Sequence, residues 1–394
     1  MAEFDTSQID YGLSIDGKYY NTLDIEGFSH MMKDPSYCYK FYWLEAIVKL
    51  ISEGITEATF ETVIDEMICN AWYSVREFHI HLSGIQADGQ VRDGLERAVI
   101  KLAEVSNLPA YASKVEIKNA IRENNYELKD AKSQLTNMVP YRALAGFFDR
   151  TDLVADWSSA VRMTAYIKRI NRDVVLLPYT LGEGSKLNKQ IYFQPAWIEM
   201  IQDNTVAILG WIQYEKMKWL QNNNPEVPGL VYKLAPMDER MRKLSSVHKL
   251  WDSIMELSEV RDVFTDSVIS TKKYDVDHFI PWSFVMNDEL WNLMPMDSSL
   301  NSSKSNKLPE WKPFFERFAN NQYLLYDMIH SKPGIHKKFE DCYRDNLHSI
   351  WAEQELYRQG NSKADFLNIL QKNMQPVYDS ARRQGYEIWN YVVA

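Results

Sequence analysis

One short stretch of this chain, residues 274–309, carries the residue types that metal-assisted hydrolysis of a phosphodiester needs. It contains the pair Asp277-His278, then Asn292 fourteen residues after the histidine and Asn301 twenty-three residues after it. Imidazole accepts a proton from water near neutral pH, and a carboxylate can hold a divalent cation that neutralises charge on the phosphorane. The residue types and their spacing therefore predict a one-metal site that cleaves phosphodiesters.

Short secondary-structure elements must position these side chains. Residues 261–269 and 274–281 are β-prone and predict two strands, and a helix is predicted to open near Asp297 or Ser298, which gives a ββα arrangement. Adjacent side chains of a strand point to opposite faces. The second strand must therefore end or bend at the Asp-His pair if both residues are to act, and a proline three residues further on is consistent with such an end.

The predicted helix carries two further candidates. Asn301 lies one turn into it and is expected to supply a second oxygen ligand. Lys304 lies at i+3 on the same face, where it is expected to touch the scissile or an adjacent phosphate, with an ordinary solvated lysine as the alternative. Asp275 is interpreted as a supporting residue rather than a ligand.

The segment resembles the HNH (ββα-metal) endonuclease family over residues 261–309. Its D-x-D-H sequence, its central Asn and its final Asn followed by Lys-Ser are most similar to the HNH domain of RNA-guided CRISPR effector nucleases. The resemblance implies that His278 is the general base and that Asp277 and Asn301 are metal ligands. It also implies that Asn292 braces the loop through backbone hydrogen bonds and orients His278, and that the products carry 5′-phosphate and 3′-hydroxyl ends.

Two features depart from many members of that family. No CxxC pair stands where a structural zinc would be held, so we expect the unit to be stabilised by packing without zinc. The last ligand is Asn rather than His, and an all-oxygen ligand set favours Mg²⁺ or Mn²⁺. The side chains expected to provide the packing are Phe264, Val268, Ile280, Trp282, Phe284 and Leu293.

The whole chain of 394 residues is predicted to be mainly α with a small β component, and the ββα-metal nuclease unit is embedded in it. Two β-prone runs, residues 174–181 and 189–197, predict a hairpin or two strands of a small sheet. The predicted organisation is a mainly helical N-terminal domain over residues 1–150, a mixed α/β segment over 151–235, an HNH ββα-metal nuclease domain over 236–310 and a helical C-terminal region over 311–394.

The net charge and the N-terminal sequence bear on the binding partners and the cellular location of the protein. The net charge is −10, which weakens non-specific attraction to DNA and suggests that a partner, guide or activation step restrains activity. The N-terminal sequence lacks a basic and apolar leader, and the longest central apolar run is too short to span a bilayer. A soluble, cytoplasmic protein without membrane association is expected.

These observations predict a Mg²⁺-dependent endonuclease that cleaves DNA, with a role in prokaryotic or phage-borne defence against foreign DNA. Two alternatives stay open. One is a homing-type endonuclease of a mobile element, which would cut one long site rather than many. The other is an effector or binding subunit whose HNH unit is inactive or works only with a protein or guide-RNA partner. The sequence also leaves open sequence specificity and assembly into a homo-oligomer.

Overall fold

The structure is a computed structural model that describes residues 13–391, apart from residues 34, 36, 85–90, 92, 151–153, 174–175, 235–241 and 272. Helices make up 61% of it and strands 7%. The prediction of a mainly α protein with a small β component is therefore confirmed. No helix in the described part of the chain is both long and apolar enough to cross a membrane.

The chain divides into two compact units. The first consists of residues 1–225 with 233–236, and the second consists of residues 226–232 with 237–394. All of the residues singled out above for chemistry lie in the second unit.

The first unit is built mainly from helices whose apolar faces are buried against one another. In α3 (Phe60–Arg76) buried apolar side chains recur at the spacing of an amphipathic helix, whereas α2 (Tyr39–Ser52) is buried on nearly all sides. Thr59 caps α3 by accepting a hydrogen bond from the Thr62 amide. The helices are α1 (Ile25–His30), α2 (Tyr39–Ser52), α3 (Phe60–Arg76), α4 (Gly94–Ser106), α5 (Lys114–Glu123), α6 (Asn125–Leu135), α7 (Val139–Arg142), α8 (Ala160–Asp173), α9 (Pro195–Asp203) and α10 (Thr205–Asn223).

A small antiparallel sheet completes the first unit. Its strand order is β1 (Glu57–Thr59), β3 (Gln190–Phe193) and β2 (Tyr179–Leu181), with β3 in the centre. The predicted pairing of the β-prone runs is confirmed, although the strands are shorter than the runs. Because β1 precedes residue 150 and β3 follows it, the predicted N-terminal domain and the predicted mixed segment share this sheet.

The second unit surrounds two pairs of short strands with helices. Its helices are α11 (Ser245–Met255), α12 (Trp282–Val285), α13 (Ser298–Lys304), α14 (Trp311–Ser331), α15 (Pro333–Glu340), α16 (Tyr343–Asn346) and α17 (Lys363–Arg383). Its strands are β4 (Tyr274–His278) and β5 (Leu293–Asp297), which pair antiparallel, and β6 (Leu308–Pro309) and β7 (Ile388–Trp389), which pair parallel.

Strands β4 and β5 and helix α13 form a ββα unit. The register of the two strands runs from Tyr274 opposite Asp297 to His278 opposite Leu293. The Asp297 carboxylate then accepts a hydrogen bond of 2.9 Å from the Ser299 amide and so starts α13 directly after β5. This connection places α13 against the same pair of strands that ends in the Asp-His pair.

The prediction of a strand over residues 261–269 is wrong. Within these residues only an isolated bridge between Arg261 and Val268 is formed. The Asp262 carboxylate accepts hydrogen bonds from the amides of Phe264 (2.9 Å) and Thr265 (3.0 Å), which closes a tight turn instead. The partner of β4 is therefore β5, which follows it in the chain.

Aromatic and aliphatic packing occupies the interior of the second unit. The expected contributors Phe264, Ile280, Phe284 and Leu293 are buried. Val268 is 51% exposed, so its predicted role in the core is wrong. It lies on the turn that replaces the predicted first strand, where its side chain points away from the core.

Candidate active site

One face of β4 is lined by carboxylates that contact α13. Asp275 and Asp277 are two residues apart in the strand and therefore lie on the same face. The Asn301 amide donates to Asp275 Oδ2 at 3.1 Å, and the Lys304 ammonium donates to Asp277 Oδ2 at 2.9 Å. Asn301 and Lys304 are separated by three residues on α13, so each of them meets one of the two carboxylates.

Lys304 is buried at the contact between α13 and β4. The sequence predicted a phosphate contact, with a solvated side chain as the alternative, and in this structure the side chain is fully buried. Its ammonium donates to Asp277 and, at 2.8 Å, to the carbonyl oxygen of His278. In this structure Lys304 therefore connects the end of β4 to α13 through two hydrogen bonds.

The imidazole of His278 is held by the loop that connects β4 with β5. Its Nε2 atom lies 3.0 Å from the carbonyl oxygen of Asn287. A carbonyl oxygen only accepts, so Nε2 carries a hydrogen and donates it. In the neutral ring Nδ1 then keeps its lone pair, which is the state that a general base needs.

Two residues that sequence reasoning missed also contact this imidazole. Nδ1 lies 3.2 Å from Arg242 Nη2, and Nε2 lies 3.2 Å from Asp288 Oδ1. Burial raises the pKa of the Asp288 carboxyl, but its contacts with His278, the Lys243 amide and Arg242 outweigh burial and hold this pKa below its usual value. Asp288 is therefore an anion beside the imidazole.

Asn292 ties the loop together where β5 begins. Its side-chain oxygen accepts from the Ile280 amide and its Nδ2 donates to the Ile280 carbonyl, both at 2.8 Å. Its own carbonyl oxygen accepts from the Phe279 amide at 2.8 Å. Asn292 is fully buried, so these bonds fix the backbone immediately after His278.

The structure thus groups the predicted residues on two sides of one strand end. Asp277, Asn301 and Lys304 lie on the side that faces α13. The imidazole of His278 lies against the loop of Asn287. No single sequence pattern connects Arg242 or Asp288 to this group, since Arg242 lies 36 residues before His278 and contacts it only through folding.

The oxygen donors on β4 and α13 suit a hard divalent cation. Among the described residues, no group of three or more His, Cys, Asp or Glu side chains is arranged to hold a metal ion. The available donors are instead the two carboxylates of Asp275 and Asp277 and the amide oxygen of Asn301, whose Nδ2 donates to Asp275 Oδ2. Carboxylate and amide oxygens are ligands that Mg²⁺ and Mn²⁺ accept, so the chemistry of these residues fits such an ion.

Comparison with known proteins identifies the class of this segment. The family model for HNH endonuclease matches residues 262–310. The match covers the turn at Asp262, the strands β4 and β5, and helix α13. No solved structure matches the chain. The resemblance inferred from the motif is thereby confirmed for this segment, and the segment is an HNH endonuclease unit, a class that acts on nucleic acid.

Proposed function

We propose that this protein is an endonuclease that hydrolyses phosphodiester bonds of DNA with the help of Mg²⁺ or Mn²⁺ and leaves 5′-phosphate and 3′-hydroxyl ends. The observation that carries the proposal is the hydrogen bond from His278 Nε2 to the Asn287 carbonyl oxygen at 3.0 Å. It leaves Nδ1 as the acceptor for a proton from water, at the end of the strand that carries the carboxylates of Asp275 and Asp277.

Each proposed residue has a defined task. His278 takes a proton from the attacking water on Nδ1. Asp277 and Asn301 would hold the cation through their side-chain oxygens. Asn292 keeps the backbone after His278 in place, and Lys304 fixes Asp277. A cation bound there would supply positive charge that stabilises the phosphorane and the departing oxygen.

The proposed biological role is cleavage of foreign DNA in the cytoplasm of a prokaryote or during phage infection. This role is an analogy drawn from the class of the segment alone. An HNH unit can serve many functions, so the assay below tests the activity and not the biological role. The first unit is a candidate for target recognition.

A second candidate function is an effector subunit that becomes active only with a protein or guide-RNA partner. The specific observation in its favour is the Arg242 guanidinium at 3.2 Å from His278 Nδ1, together with the net charge of −10. Both features oppose unassisted cleavage of DNA.

One set of assays tests the proposal. Purified protein and a His278→Ala variant are incubated with plasmid DNA, single-stranded DNA and RNA in the presence of Mg²⁺, Mn²⁺ or a chelator. We expect metal-dependent nicking of the plasmid by the wild type and none by the variant. Equal nicking by both proteins would overturn the mechanism, and no nicking by either would favour the effector subunit.

A further inference from the structure

The guanidinium of Arg242 occupies the proton-accepting side of His278. Its Nη2 atom lies 3.2 Å from Nδ1, and its central carbon lies 5.6 Å from the centroid of the Trp282 ring. The ion pair from its Nε to Asp288 Oδ1 is long, at 3.7 Å. The side chain is 38% exposed, so solvent and ligands can reach it.

This position conflicts with the chemistry of a general base. Nε2 of His278 donates to the Asn287 carbonyl oxygen, so Nδ1 is the one atom of the ring that can accept a proton from water. A base holds that water at about 2.6–3.2 Å. Arg242 Nη2 lies at that distance, and the water and the guanidinium cannot both occupy the place.

An anion is needed to draw the guanidinium away, and the reaction itself supplies one. A phosphate oxygen is charged and matches the fork of guanidinium donors, so it is a stronger acceptor than a neutral imidazole nitrogen. In a reactive complex the phosphorus lies about 3–3.5 Å from the attacking water. A side chain that starts at Nδ1 therefore reaches the oxygens of that phosphate after a small rotation.

The backbone near Arg242 is already fixed, so the change involves the side chain. The Lys243 amide donates to Asp288 Oδ2 at 2.7 Å, and the Lys243 carbonyl oxygen accepts from Asn346 Nδ2 at 2.9 Å. These bonds hold residue 243 against the loop that carries His278. Arg242 is thus kept within reach of Nδ1 and of a phosphate beside it.

We propose that Arg242 is a phosphate-binding residue of this site that covers the base until a phosphodiester of the DNA draws it away. The proposal rests on the proposed function, because it needs His278 to be the base. It assigns two exclusive positions to one side chain. In the free protein the guanidinium lies on Nδ1, and in the DNA complex it lies on a phosphate oxygen.

The two positions predict a coupling between Arg242 and His278 in DNA binding. The dissociation constant of a short DNA duplex is measured by fluorescence anisotropy, with chelator present, for the wild type, Arg242→Met, His278→Ala and the double variant. We expect Arg242→Met to weaken DNA binding about 3- to 10-fold when His278 is present. In the His278→Ala background the same substitution should weaken DNA binding by a further factor of about 3 to 10. There the guanidinium breaks no contact with an imidazole when it moves to the phosphate.

Lys243→Met is the matched control, because it removes the same charge from the adjacent residue. Its side chain is 59% exposed and pairs with Asp345 at 2.9 Å, so we expect less than about a twofold change in binding. Thermal unfolding checks that each variant folds, and His278→Leu replaces His278→Ala if the latter does not.

The possible outcomes separate this inference from the proposed function. Equal losses in the two His278 backgrounds, no loss at all, or an equal loss in Lys243→Met would overturn the role of Arg242. Metal-dependent cleavage by the wild type that His278→Ala abolishes supports the function independently. Cleavage with additive binding effects rejects the Arg242 proposal alone. Coupled binding without cleavage rejects the nuclease function, and with it the covered base, and leaves Arg242 as a phosphate-binding residue that leaves His278 when DNA binds.

Discussion

Lys304 and Asp277 form an ion pair inside the HNH unit, with Nζ 2.9 Å from Oδ2. The same ammonium donates to the carbonyl oxygen of His278 at 2.8 Å. One fully buried lysine therefore joins α13 to the last two residues of β4. These are the two residues that the proposed mechanism uses as ligand and base.

Replacing this lysine should affect stability before it affects catalysis. Lys304→Met leaves a mostly buried carboxylate and a carbonyl without their donor, so we expect the free energy of unfolding to fall by about 3–5 kcal/mol. Lys307→Met is the control, since Lys307 is half-exposed and lies 3.7 Å from Glu387; its effect should stay below about 0.5 kcal/mol. Urea unfolding measures both. Wild-type stability in Lys304→Met, combined with lost cleavage, would instead support the phosphate contact that the sequence predicted.

Asn292 should be needed for both the fold and the position of His278. Asn292→Ala removes two hydrogen bonds to the Ile280 backbone at a fully buried site. We expect a loss of about 2–4 kcal/mol in the free energy of unfolding, because the Ile280 amide and carbonyl are left unpaired. A protonated Asp in Asn292→Asp keeps the acceptor for the Ile280 amide and supplies an O–H donor for the Ile280 carbonyl, so its loss should be smaller than that of Asn292→Ala. Chemical denaturation measures the free energy of unfolding of the wild type and of both variants. An unchanged stability in Asn292→Ala would contradict the structural role of Asn292.

Asp275 should support metal binding through Asn301. The Asn301 Nδ2 donates to Asp275 Oδ2 at 3.1 Å and thereby leaves the amide oxygen available. We expect Asp275→Ala to weaken Mn²⁺ binding about 10- to 100-fold, as loss of a group that orients a ligand does. Electron paramagnetic resonance of free Mn²⁺ measures the affinity without any nuclease assay.

Two comparisons make this metal test specific. Asp277→Ala, which removes a proposed ligand, should weaken Mn²⁺ binding at least as much as Asp275→Ala does. Asp266→Ala alters a carboxylate on the turn before β4 and should leave the affinity unchanged. If all three variants bind Mn²⁺ like the wild type, the ligand assignment is wrong.

The turn at Asp262 should make the HNH unit independent of zinc. The Asp262 carboxylate accepts from the amides of Phe264, Thr265 and Asp297, at 2.9, 3.0 and 3.1 Å, and so ties the turn to the start of α13. We expect a strong chelator to leave the melting temperature unchanged, and Asp262→Ala to lower the free energy of unfolding by about 2–4 kcal/mol. Differential scanning calorimetry checks both. Unfolding by the chelator would reveal a structural metal.

His79 should make the first unit sensitive to acid. Burial, followed by the charges of Arg76, His81 and Lys233, lowers the pKa of His79 to about 4 from a usual value of 6.5. Between these two values the unfolded chain binds a proton that the folded chain does not, so stability is present above pH 6.5 and is lost as the pH falls towards 4. Between pH 7 and 5 we expect His79 to account for a loss of about 1–2 kcal/mol.

A conservative variant isolates this titration. His79 has a left-handed backbone with φ of 52°, which asparagine tolerates, so His79→Asn removes the titrating ring with little backbone strain. The variant should lose less stability than the wild type between pH 7 and 5 in urea titrations. His336→Asn on α15, where the ring is half-exposed, is the control and should behave like the wild type. Identical pH dependence in wild type and His79→Asn would refute the assignment.

Local sequence by itself predicted the type of chemistry proposed for this site. The Asp277-His278 pair, the Asn at position 292 and the Asn-x-x-Lys-Ser pattern from residue 301 depend on spacing within short elements, and spacing alone predicts which residues share a strand face or a helix face. The same reasoning predicted the resemblance that the match over residues 262–310 confirmed. It also predicted a mainly α protein, because helical periodicity extends over most of the chain.

Only the tertiary structure decided which strands pair and what surrounds the two catalytic candidates. β-propensity in residues 261–269 predicted a strand, but the Asp262 carboxylate closes a turn there and leaves β4 to pair with β5. Lys304 is buried on Asp277 and Arg242 lies on His278 because α13 and residue 242 pack against the end of β4. Such contacts join residues that are 27 and 36 positions apart. Periodicity describes one element at a time and therefore carries no information about them.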